Sequence, residues 1–159
     1  MARPAYLRHP SSLAHDTGAH PERAERIVAI EAELERRGWL GLERLEAPIV
    51  DADALGAVHP ARYVRGLEEL CAAGGGHVDA DTVVVEASYE AALRAAGGAV
   101  ALVDLLMTGA APTGMSALRP PGHHAEAARA MGFCLFNNVA VAARRALDAH
   151  GAGRVLVLD

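Results

Sequence analysis

The stretch from Arg119 to Asn138, RPPGHHAEAARAMGFCLFNN, holds the residues best suited to chemistry. His123 and His124 are adjacent and follow a rigid Pro-Pro-Gly turn. On a helix two neighbours would point in different directions, but in a loop both rings can turn into one pocket. Two imidazoles in one pocket shift each other's proton affinity and can divide acid and base roles. By itself such a pair reads as solvated loop histidines. Its surroundings argue for more. Gly132 and Phe133 allow close backbone approach beside an apolar wall. Asp159 ends an apolar run and is a candidate to orient one imidazole, since a carboxylate behind a histidine is a common device for holding the ring.

Helices and strands must position these groups. Ala5-Tyr6-Leu7 is a candidate first or edge strand, and residues 9–20 read as a polar loop. A helix is predicted from Pro21, because proline suits the first helical position. Ile27, Ile30 and Leu34 follow at helical spacing, and Gly38 is the stop. Residues 42–50 read as a second strand, and Asp51 as a cap for a short turn over 52–58. Pro60 starts a helix with Tyr63, Val64, Leu67 and Leu70 on one face, ended by Gly74-Gly75-Gly76. A loop over 77–82 and the apolar Val83-Val84-Val85 lead into a long helix over 86–107, whose paired Gly97 and Gly98 predict close packing. Residues 115–118 read as a buried strand, 138–149 as a helix, and Arg154 to Asp159 as a buried strand of the parallel kind. Helices alternating with apolar strands predict an α/β fold. The catalytic edge of such a sheet lies at strand C-termini, which is where Asp159 falls.

Composition narrows the classes. The chain has 159 residues, 52% hydrophobic and 22% charged, with a net charge of -5. This is a globular composition, and every basic residue is Arg. The acidic balance argues against a nucleic-acid partner. Residues 91–111 are apolar but contain Arg94 and Asp104, so they read as a buried or amphipathic helix rather than a membrane span. Cys71 and Cys134 form no CxxC pair, which suits a reducing cytoplasm. Cys134 reads as a small buried hydrophobe, and His9, His15, His20, His59, His77 and His150 as surface or structural residues. Gly151-Ala152-Gly153 precedes its strand, whereas a dinucleotide loop follows one.

The motifs together resemble the histone deacetylase, acetoin-utilisation and acetylpolyamine amidohydrolase family. RPPGHH, GFC and NN are followed by a helix and an apolar run ending in Asp. Upstream, HDTGAHPERAERI (15–27) resembles the family's His-Pro-Glu segment, and VHPARYV (58–64) its His-x-x-x-Tyr segment. Asp79 to Thr82 and Ser88 to Ala99 also fit. The resemblance implies an α/β, parallel-sheet, three-layer fold of the arginase and deacetylase type. It makes residues 1–159 the N-terminal part of one deacetylase domain, truncated at a central strand.

The resemblance further implies amide hydrolysis with a zinc-bound water. His124 matches the general base and acid, and His123 its neighbour that holds the water. Asp159 matches the aspartate that pairs with the first histidine and contributes to a monovalent-cation site, taken as K+. Phe133 and Gly132 match the wall and backbone of a narrow tunnel for the acyl-amine stem. Arg26 matches an arginine near the channel for the released acid, and Asp79 or Asp81 the rim aspartate that binds substrate. Zinc ligands are absent from this chain, because the family's Asp-x-His pair and later aspartate fall beyond Asp159. Ala24 stands where the family often has Pro. The expected substrate is a small acylated amine or an acyl-lysine, with no nucleic acid and no membrane as partner. The expected location is the cytoplasm, and by itself the chain is expected to be inactive and poorly soluble or oligomeric. The alternative is a non-catalytic remnant that acts as a partner-binding module.

Overall fold

Strand β1 (Ala5–Arg8) is the centre of the main sheet, because its residues can be buried on both faces. Tyr6 points to one side, Ala5 and Leu7 to the other, and all three are buried. The computed structural model describes residues 2–159. β1 pairs in parallel with β2 (Glu43–Glu46) on one flank and β5 (Gly114–Ser116) on the other. Parallel neighbours require crossover segments, and helices supply them.

On one face lies α2 (Glu25–Arg36), whose Ile27 and Leu34 pack with Tyr6, Trp39 and Ala117. On the other lies α5 (Ser88–Met107), whose Ala101, Leu102 and Leu105 cover Ala5 and Leu7. The result is helix, sheet, helix. Gly97 and Gly98 on α5 are needed for this contact. A Cβ on Gly97 would stand 2.0 Å from the Pro48 carbonyl oxygen, and one on Gly98 2.3 Å from a Leu118 methyl. The close packing predicted from the glycine pair is therefore present.

A second cluster joins α5 to α3 (Ala52–Gly56), α4 (Ala61–Ala72) and α6 (Asn138–Asp148), with Leu55, Leu67, Cys71, Ala96, Phe136 and Val141 at its centre. The cap read from the sequence at Asp51 is realised in a side-chain hydrogen bond, and the structure adds a second at Asn137. Asp51 accepts from the Ala54 N–H at 2.8 Å, and Asn137 from the Ala140 N–H at 3.0 Å. Between α4 and α5, β3 (Gly76–His77) and β4 (Val83–Val84) form a small antiparallel hairpin around the acidic loop. On α6, Arg145 grips Asp104 of α5 at 2.8 Å, and His150 reaches the same carboxylate at 2.6 Å. Among the described residues no helix is long and apolar enough to cross a membrane.

Four local expectations are corrected. Residues 9–20 are not all loop, since α1 (Ser11–Ala14) forms there with Ser11 and Ser12 buried. The helix predicted from Pro21 begins at Glu25, because Glu22 is drawn into the interior by a distant arginine. The strand predicted over 115–118 is buried only in part: β5 is an edge strand that pairs with β1 alone, Met115 and Ser116 are exposed, and Ala117 and Leu118 just beyond it pack into the core. The run from Arg154 to Asp159 forms no strand pairing in this structure. Leu156 is 81% and Leu158 86% exposed, because a strand needs a backbone partner and none of the described residues offers one.

Candidate active site

The loop that carries the two histidines leaves β5 and is anchored at once by Arg119. This side chain is buried, and each of its prongs is satisfied. Nε and Nη2 donate to the two oxygens of Glu22, the latter at 2.9 Å, and Nη1 donates to the Ser12 carbonyl at 2.6 Å. The Arg119 N–H donates to the Ser12 hydroxyl at 3.0 Å. A buried arginine is tolerated only with such full pairing. Glu22 in turn faces His15, whose Nε2 lies 3.6 Å from Oε2. The Ser88 hydroxyl accepts from the Val85 N–H at 2.8 Å and shares a hydrogen bond with His15 Nδ1 at 2.7 Å. Burial, reinforced by the Arg119 charge, pushes His15 down to about 4 against the partial opposition of Glu22, so the ring is neutral at pH 7.

Beyond Pro120 the loop is held by the paired asparagines and by His59. Asn138 Nδ2 donates to the Pro120 carbonyl at 3.3 Å and Asn137 Nδ2 to the Ala125 carbonyl at 2.9 Å. His59 Nε2 accepts from the Asn137 N–H at 2.9 Å, so its proton sits on Nδ1, which donates to the Ala127 carbonyl at 2.9 Å. Both nitrogens of His59 are thus occupied by backbone, as suits a structural role, and burial lowers its proton affinity. The Tyr63 hydroxyl donates to the Leu135 carbonyl at 2.6 Å. Gly122 has no room for a side chain, since a Cβ would stand 2.5 Å from the Asn138 nitrogen and the Phe136 oxygen.

The frame presents His123 and His124 at the surface, with ring centroids 4.2 Å apart. The His124 ring lies against Gly132, where a Cβ would come within 2.8 Å of its Cγ and Cδ2. Gly132 and Phe133 are both left-handed, with φ of 56° and 70°. For Phe133 that conformation costs about 1–2 kcal/mol, and the Thr82 hydroxyl supports it by accepting the Phe133 N–H at 3.1 Å. The Phe133 ring meets His20 edge-on at 4.5 Å. Cys134 is buried, accepts from the His124 N–H at 3.4 Å, and burial pushes its thiol up. It is a packing residue, not an activated nucleophile.

His123, His124, Gly132 and Phe133 are therefore brought together, with Asp79 and Asp81 tied in through Thr82. The Asp79 carboxylate accepts from the Asp81 N–H at 3.0 Å. Asp159 is not brought in: it is exposed and makes no hydrogen bond to His123 or His124. Arg26 has a side chain 59% exposed and approaches Glu22 only at 3.9 Å. Among the described residues no three His, Cys, Asp or Glu side chains converge on a metal-sized site. His20, expected from the sequence to be surface or structural, stands against Phe133, and Thr82 and the Glu22–Arg119 pair join the site with no role expected of them. The signals for the pair are its two motif segments, His-Pro-Glu at 20–22 and RPPGHH at 119–124.

The model of the histone deacetylase domain matches residues 20–159. The chain is 42% identical over 160 residues to the human polyamine deacetylase HDAC10, covering 92% of this chain and 23% of that protein. It is 37% identical to the histone deacetylase-like amidohydrolase of Pseudomonas aeruginosa, covering 97% of this chain and 40% of the other. In the crystal structure of the HDA15 HD domain, the likeness covers 94% of this chain and 44% of that one, with a TM-score of 0.89 at 33% identity. The chain thus spans less than half the length of these relatives.

Proposed function

Since this chain belongs to the histone deacetylase family, we propose that the full-length protein hydrolyses the amide bond of an acylated amine, with His124 as general base and then general acid. The observation that carries the reading is the paired imidazoles, 4.2 Å apart, with His124 seated on Gly132 beside Phe133. Water oxygen bonds to the acyl carbon and its proton passes to His124. The C–N bond then breaks as His124 returns that proton to the leaving nitrogen, giving a carboxylic acid and a free amine. His123 holds the attacking water and tunes the charge on its neighbour.

The α/β deacetylase-like fold supports this reading. So does the aromatic edge formed by Phe133 and His20, which suits a long stem of CH2 groups. Relatives named as a polyamine deacetylase and an amidohydrolase favour a small acylated amine over an acyl-lysine protein. In the proposal Asp79 or Asp81 contacts substrate at the rim, Arg26 lies near the path of the released acid, and Asp159 orients His123 and contributes to a K+ site. Zinc is the cofactor that the family implies. Among the described residues no three His, Cys, Asp or Glu side chains converge; the proposal places the zinc ligands in the rest of the full-length protein, where the ion would polarise the acyl carbonyl. A cytoplasmic setting belongs to the same proposal.

Full-length protein assayed with acetylated polyamines and acetyl-lysine peptides tests the reading. His124→Ala is expected to lower kcat at least about 100-fold. Turnover unchanged by that substitution would refute the role of His124. No turnover of any acylated amine would favour the non-catalytic, partner-binding alternative.

A further inference from the structure

Thr82 is fully buried at the end of the acidic loop, and its contacts run to two places that matter. Its hydroxyl accepts the Phe133 N–H at 3.1 Å across 51 positions of sequence. The same hydroxyl lies 3.4 Å from an oxygen of Asp81, and its carbonyl accepts the Val78 N–H at 2.8 Å, closing the acidic loop on itself. Phe133 is the residue in need of such support. It is a bulky side chain with φ of 70°, directly after the left-handed Gly132. A peptide in that conformation points its N–H away from the local hairpin, so the group must find a partner elsewhere or stay unpaired.

We infer that Thr82 is a positioning residue that sets the direction of the Phe133 ring, and through it the selectivity for the substrate stem. The inference rests on the reading of Phe133 as a tunnel wall. Thr82 touches neither of the two histidines by any hydrogen bond. Its influence therefore falls on how substrate is held rather than on proton transfer. The link to Asp81 gives the rim loop and the aromatic wall one common support.

The test uses the full-length protein with Thr82→Val, which keeps the shape and removes the hydroxyl, and Thr82→Ser, which keeps the hydroxyl. Thr82→Val is expected to raise KM for an acetylated polyamine about tenfold, to lower kcat by less than KM rises, and to leave the shape of the pH profile unchanged. Thr82→Ser is expected to behave as wild type. In a Phe133→Gly background, Thr82→Val is expected to have no further effect on KM. An equal rise there would show that Thr82 acts elsewhere and overturn the inference. Amide hydrogen exchange at Phe133, followed by NMR, reads the bond without turnover. Faster exchange in Thr82→Val alone supports the inference, and unchanged exchange overturns it. A protein inactive on every acylated amine would fail the deacylase reading, while exchange at Phe133 would still decide the role of Thr82.

Discussion

Arg119 and Glu22 stand 97 positions apart in sequence and close a two-pronged ion pair in the interior, with side chains 3% and 1% exposed. This pair connects the loop before α2 to the start of the histidine loop, so stability and site geometry meet in one contact. Removing one partner of a buried pair strands the other's charge. Glu22→Ala is expected to cost about 3–5 kcal/mol of folding stability, measured by urea unfolding. A cost below about 1 kcal/mol would mean that solvent reaches Arg119 readily.

His15 makes the same region sensitive to acid. Its folded-state pKa is lowered from 6.5 to about 4, so between these values the unfolded chain binds a proton that the folded chain refuses. The contribution is present above pH 6.5 and is lost as pH falls toward about 4. Its size is on the order of 3 kcal/mol. Unfolding free energy measured from pH 7 to pH 4 is expected to fall less steeply in His15→Asn, by close to one proton. Parallel slopes in the two proteins would place the acid sensitivity elsewhere.

Gly132 separates activity from stability. A methyl group there would meet the His124 ring at 2.8 Å, on a backbone with φ of 56°. Gly132→Ala is expected to cost about 1–2 kcal/mol in stability and to lower kcat of the full-length protein about 100-fold by displacing the imidazole. Wild-type kcat in a folded Gly132→Ala protein would show that His124 tolerates the shift.

Asn137 performs two tasks with one amide. Its oxygen caps α6 and its nitrogen holds the Ala125 carbonyl. Asn137→Asp keeps the capping oxygen and loses the donor. It is expected to lose about 1 kcal/mol for the unpaired Ala125 carbonyl, while Asn137→Ala, which loses the cap as well, is expected to lose about 2–3 kcal/mol. Both are expected to lower turnover. Equal thermal midpoints for the two variants would argue that the cap contributes little.

Much of the frame is local and could be read directly. Pro60 and Asp51 start their helices where expected, Gly38 follows the end of α2, and Gly97 and Gly98 mark the close contact of α5. Caps, prolines and helical spacing act over a few residues, so they leave a signal in the sequence itself. The start of α2 lies four residues beyond Pro21 for the opposite reason: Glu22 answers to Arg119, not to its neighbours. The apolar run from Arg154 to Asp159 has strand character, but pairing depends on a partner strand, and its own residues cannot provide one.

The candidate site divides along the same line. Residue types and order alone singled out His123, His124, Gly132 and Phe133, and through their resemblance the family. Which groups meet was decided by the tertiary structure. It seats His124 on Gly132, stands His20 against Phe133, places Thr82 beneath the Phe133 N–H, and leaves Asp159 and Arg26 outside the cluster. The physical reason is that burial and hydrogen bonding over 51 or 97 positions depend on where helices and strands pack, and no local pattern of residues carries that information.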